Sequence, residues 1–66
     1  MLPLARILAR LNEQVPGQAL EVELERRSDR WVYEIKQLTA DGVIEKIRVD
    51  AASGDIIERR VRHRSR

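Results

Sequence analysis

Leu4, Leu8, Leu11 and Val15 recur at steps of four, three and four residues, the spacing of one stripe along a helix. Ile7 widens the stripe, and Arg6, Arg10, Asn12 and Glu13 fall on the other side. Pro3 suits a first helical turn, where its missing N–H costs nothing. Pro16-Gly17 closes the segment, because proline cannot continue a helix and glycine permits the chain to reverse. The pattern predicts a helix over residues 3–14.

The period then changes from helical to alternating. From Ala19 to Glu25, Leu20, Val22 and Leu24 point one way and Glu21, Glu23 and Glu25 the other, as in a strand with one buried and one wet face. Arg27-Ser28-Asp29-Arg30 reads as a hairpin connection into a second strand, Arg30 to Leu38, with Trp31, Tyr33 and Ile35 on one face. Leu38 breaks that parity, which predicts a bulge or twist near Gln37. Asp41-Gly42 between two apolar runs is a tight-turn signal. A third strand follows from Val43 to Val49, with Glu45, Ile47 and Val49 opposed to Ile44, Lys46 and Arg48. Asp50-Ala51-Ala52-Ser53-Gly54 forms a second turn, in which the Asp50 side chain can bond backbone N–H groups and Gly54 can take the left-handed position. Asp55 to about Arg60 is a short last strand carrying Ile56 and Ile57, and Val61 to Arg66 has little to bury and is expected to fray.

These elements predict an α+β fold: a single N-terminal helix packed on one face of a three- to four-stranded antiparallel meander. The expected domain spans residues 3–60, and residues 61–66 form a basic, disordered tail. The expected core is Leu4, Ile7, Leu8, Leu11, Leu20, Val22, Leu24, Trp31, Tyr33, Ile35, Ile47, Val49 and Ile56. The expected turn residues are Pro16, Gly17, Asp41, Gly42, Asp50 and Gly54.

Composition narrows the chemistry. Sixty-six residues make one domain, which buries only about 60% of its unfolded surface. There is no cysteine and one histidine, His63, so neither a disulfide framework nor a Cys/His metal site is expected. No apolar stretch reaches the roughly 20 residues of a membrane span. Arg6 interrupts the apolar residues 1–9, so no secretory signal is read there, and the chain as written is expected to be soluble.

The formal charge is +2, which invites a nucleic-acid reading. Arg59, Arg60, Arg62, Arg64 and Arg66 carry that excess, since the chain without residues 59–66 holds eight basic and eleven acidic side chains. Those five arginines are the candidate anion-binding residues, for nucleic acid, anionic lipid or an acidic protein. The simpler reading of the tail is a solvated terminus, because charge runs without aromatics or a groove are unspecific.

Glu21, Glu23 and Glu25 could suggest a cation site, but a hard cation needs six or more converging oxygens that a flat strand face does not offer. A solvated face is the simpler reading, with Lys36, Lys46 and Arg48 as neutralising partners. Asp41, Asp50 and Asp55 lack calcium-loop spacing and read as turn residues. Trp31 and Tyr33 could stack bases, yet sheet aromatics sharing a face with Ile35 read first as core. His63, among arginines, has no positioned partner. No catalytic, cofactor-binding or metal-binding residue emerges, and the chain is not expected to be an enzyme.

Pro16-Gly17 followed by Leu20-Glu21-Val22-Glu23-Leu24, then Trp31-Val32-Tyr33-Glu34-Ile35, Asp41-Gly42 and Val49-Asp50-Ala51-Ala52-Ser53-Gly54-Asp55-Ile56 together resemble the PepSY family. The last segment is similar to that family's "VDA-x-TG-E-hydrophobic" ending, with Ser53 where threonine is usual. The resemblance spans about residues 4–58 and leaves out the arginine tail. It implies a helix-plus-sheet fold, no catalytic residues, export to the periplasm or cell envelope, and a role in binding, inhibiting or localising other proteins. The expected partner is thus a protein, a peptidase or an envelope sensor. A homodimer is a further expectation for a small core with free sheet edges. Nucleic acid is not the expected partner, and anion binding through the arginine tail is the alternative.

Overall fold

In the computed structural model, which describes residues 1–64, the apolar stripe closes α1 over Leu4–Gln14. Four strands follow: β1 (Gly17–Arg27), β2 (Arg30–Thr39), β3 (Val43–Asp50) and β4 (Ile56–Arg64). They form one antiparallel sheet in the order β1-β2-β3-β4, the meander expected of an α+β chain with tight turns.

The turns follow from local chemistry. Ser28 takes φ 57° in the β1–β2 hairpin. Ala40-Asp41-Gly42 links β2 to β3, with Gly42 N–H donating to Thr39 O at 3.0 Å. In the β3–β4 turn the Asp50 carboxylate accepts from Ala52 N–H at 2.8 Å, and Gly54, at φ 81°, donates its N–H to Asp50 O at 2.7 Å. Gly17 is required by space, because a Cβ there would lie 2.1 Å from Leu38 O.

The core lies between α1 and the two central strands. Ile7, Leu11 and Val15 meet Tyr33 and Ile35 of β2 and Ile47 and Val49 of β3, with Ala51 beside them. Leu2, Leu8, Ala19, Val22 and Ile56 are partly buried around this cluster. Four expected core residues stay exposed. Leu4 is 37% exposed, because Leu2 N–H donates to Ala51 O at 2.7 Å and brings Leu2 against the core at that end. Leu20 is the unpaired residue of a bulge, since Ala19 faces Gln37 and Glu21 faces Lys36. That extra residue turns Ala19 rather than Leu20 toward the helix. Leu24 stands opposite Tyr33 on the helix side, but on the far half of an edge strand that α1 reaches only near Ala19 and Val22. Trp31 lies next to the hairpin, paired with Arg26, whose guanidinium sits 5.3 Å over its ring.

Two further expectations are corrected. β2 keeps its register with β3 from Val32 to Leu38, so the bulge lies not on β2 itself but on β1 at Leu20, directly across from Gln37 and Lys36. The last strand does not stop near Arg60. It pairs with β3 as far as Val43↔Arg64, because backbone ladder bonds need no buried side chain to continue. Ser65 and Arg66 lie outside the described residues.

The helix is held by the sheet more than by its own ends. Pro3 occupies the N-cap with no side-chain bond, the first turn has no acidic residue and the last turn no basic one. Its anchors are tertiary: Gln37 Nε2 donates to Val15 O at 2.9 Å, Gly17 N–H donates to Asn12 Oδ1 at 3.0 Å, and Arg10 bonds Ser53 O at 2.7 Å and Asp55 at 3.1 Å.

Candidate functional site

Strand alternation assigns one sheet face to the helix and leaves the other uncovered. On the uncovered face, β1 contributes Glu21, Glu23 and Glu25, β2 Val32, Glu34 and Lys36, β3 Ile44, Lys46 and Arg48, and β4 Glu58 and Arg60. The centre of this face is a network of charges. Glu34 receives Lys46 Nζ at 2.8 Å and Arg48 Nε at 3.4 Å, Arg48 reaches Glu58 at 2.8 Å, and Arg60 binds Glu58 at 3.0 Å. The long basic side chains lie across the sheet, so Glu34 is only 8% exposed and Val32 3%. The hydrogen bond from Lys46 holds the Glu34 carboxyl below its ordinary pKa, against the opposing effect of its burial.

The acidic row on β1 is served less completely. Lys36 approaches Glu21 at 3.6 Å and Arg27 approaches Glu25 at 3.4 Å, while Glu23 stands opposite Glu34. Lys46 and Arg48 do not serve this row as expected. β3 is two strands from β1, roughly 10 Å away at about 4.8 Å per strand, and their charges are taken up by Glu34 and Glu58.

The arginines of β4 do not converge on one site. Arg59 lies on the helix side and bonds Glu45 at 2.9 and 3.0 Å. That fork raises the Arg59 pKa and satisfies a carboxylate of a residue only 8% exposed. Arg60 points the opposite way to Glu58, and Arg62 is an exposed bulge residue. The backbone of Arg64 ends β4, and Arg66 is outside the described residues. Glu34 and the Glu45–Arg59 pair were not singled out from sequence. The hairpin register counted from the Thr39–Val43 turn carries the signal, since it sets Glu34 opposite Arg48.

The two edges of the sheet differ. β4 is bulged twice against β3, at Ile57 and at Arg62. β1 is bulged once, at Leu20, and then runs in unbroken register from Glu21 to Arg27. Bulges and charges are the usual means of closing an edge to further strands. Among the described residues, β1 thus offers seven residues in regular register, five of them charged, with no strand paired on its outer side.

Among the described residues no group of His, Cys, Asp and Glu side chains could hold a metal ion, and no helix is long and apolar enough to cross a membrane. No curated protein and no solved structure matches the chain. A family model described as "Peptidase propeptide and YPEB domain" matches residues 1–60. Domains of this kind are propeptide-like or regulatory modules, generally non-catalytic and typically found in exported proteins. With sixty of its sixty-six residues matched, and with one helix followed by a four-stranded antiparallel sheet, the chain belongs to the PepSY family.

Proposed function

We propose that this domain acts in the cell envelope without catalysis, by binding another protein, and that the bound protein is a peptidase whose activity it restrains. The observation that carries the reading is the open sheet: one face is covered by α1, and the other face and the β1 edge are free. A free edge accepts an extended segment, and a peptidase cleft and its flanking loops present such segments. The family match supports the peptidase half of the reading. The ion-pairing of Arg59 and Arg60 within the sheet favours it over anion binding through the arginines.

The test is to immobilise the folded chain, capture partners from envelope extract and assay each captured peptidase with added domain. The expected outcome is a peptidase whose rate falls as the domain approaches stoichiometric amounts. Captured peptidases whose rates do not change would remove the inhibitory role. Fractionation of cells that places the protein in the cytoplasm would remove the envelope assignment.

A further inference from the structure

We propose that the β1 edge from Glu21 to Arg27 receives an extended segment of a partner protein in which Lys or Arg alternates with apolar residues. This rests on the protein-binding reading above and names the chemistry of the bound segment.

Three features of the strand define that segment. First, the backbone: β1 has one neighbour, β2, and keeps regular register with it over these seven residues, about 23 Å at roughly 3.3 Å per residue. The opposite edge is interrupted at Ile57 and Arg62 and offers no run of that length. Second, the uncovered side carries carboxylates at three alternate positions, Glu21, Glu23 and Glu25, before Arg27, which pairs with Glu25 at 3.4 Å. Glu23 faces another carboxylate, Glu34, across the ladder. An added strand brings its own side chains to within about 5 Å of this row, where cations are favoured and anions disfavoured. Third, the helix side carries Val22, half-buried against the core, and Leu24, 43% exposed, before Arg26, whose guanidinium covers Trp31 of the neighbouring strand. Residues of the incoming strand that alternate with its cations would cover this apolar surface.

The same features argue against a second copy at this edge. Two β1 strands paired antiparallel about Glu23 would oppose all three carboxylates, and paired about Leu24 would still set Glu23 against Glu25 of the other copy. The arginine-bearing β4 of another copy has the right charge but is bulged in two places.

The experiment titrates the full chain into three fluorescent heptapeptides: Lys-Val-Lys-Val-Lys-Val-Lys, the same pattern with Glu for Lys, and a blocked peptide of four Lys followed by three Val. Anisotropy should show the alternating basic peptide binding about tenfold or more tightly than either other peptide, the combined effect of several exposed ion pairs. Amide exchange should slow within residues 21–27 on binding. The variant E21K/E23K/E25K, whose fold is checked by circular dichroism, should reverse the preference toward the Glu peptide. Equal binding of the blocked and alternating basic peptides would reduce the effect to bulk charge and overturn the proposal. So would protection on β4, or a triple variant with unchanged preference. Sedimentation showing self-association that masks residues 21–27 would make a second copy the occupant and overturn it as well. The functional reading is separable: a captured peptidase that binds the wild type and the triple variant equally leaves that reading standing and removes this edge.

Discussion

Ile35 and Leu24 lie on the same sheet face of adjacent strands, yet Ile35 is fully buried and Leu24 is 43% exposed. The difference is the position of α1, which sits over β2 and β3 and leaves the far half of β1 uncovered. Ile35→Ala should therefore lower stability by about 2–4 kcal/mol, from lost transfer energy and the cavity left behind. That is a large share of the roughly 3–10 kcal/mol available to a chain of this size. Leu24→Ala should cost less than about 1 kcal/mol, because little of its area leaves water on folding. Urea denaturation of both variants checks this, and equal midpoints would contradict the burial assignment. The alternation in the sequence could not distinguish these two residues. It reports which side a side chain points to, and the reach of the covering helix is a property of the folded molecule. Leu20 was illegible for a related reason: a bulge shifts parity without leaving a mark in composition.

At the scale of elements, more could be read. The helix, the four strands and their antiparallel order were legible because each boundary is set by a local cause: Pro16-Gly17, Ser28-Asp29, Asp41-Gly42, and Asp50 with Gly54. The end of β4 was not legible, because its extension to Arg64 rests on backbone pairing with Val43 and Glu45 and not on apolar side chains. The Glu45–Arg59 fork fastens this edge strand on the helix side, as Arg48 fastens it through Glu58 on the other. Arg59→Met leaves the Glu45 carboxylate unpaired where water reaches it poorly. The expected loss is about 1 kcal/mol, modest because the arginine itself is half exposed. Adding Glu45→Gln should recover part of that loss. A double-mutant cycle in urea measures the coupling, and strictly additive effects would show that the fork contributes nothing. As a candidate interaction site, the open edge of β1 was only half legible: the meander makes β1 terminal, but the bulges that close β4 and leave β1 straight appear only in the register.

Over the whole molecule, charge is distributed across the sheet, with carboxylates on β1, a paired network in the middle and arginines on β4. The pH response follows from the Glu34 carboxyl in that network, whose folded pKa lies below its ordinary value of 4.5, chiefly through the Lys46 hydrogen bond. Its contribution to stability is fully present above about pH 4.5, the unfolded value. It is lost as pH falls from there through the depressed folded value. Wild type should thus lose melting temperature on acidification over this window more steeply than Glu34→Gln, and the gap between them should narrow at the acid end. Parallel melting curves for the two proteins at all pH values would contradict the assignment. A different consequence follows from the ends of α1, which have no capping side chain at Pro3, only one lent by the sheet at Val15, and no charges matched to the helix dipole. A helix held mainly by its neighbour can leave before that neighbour melts, so the sheet should outlast it in native-state hydrogen exchange. Amides of α1 should exchange through a partial opening of lower free energy than those of β2 and β3. In that opened state the Ile35 and Ile47 surface is briefly bare, and the domain would be most exposed to aggregation and proteolysis through the loss of its helix and not through the unzipping of its strands.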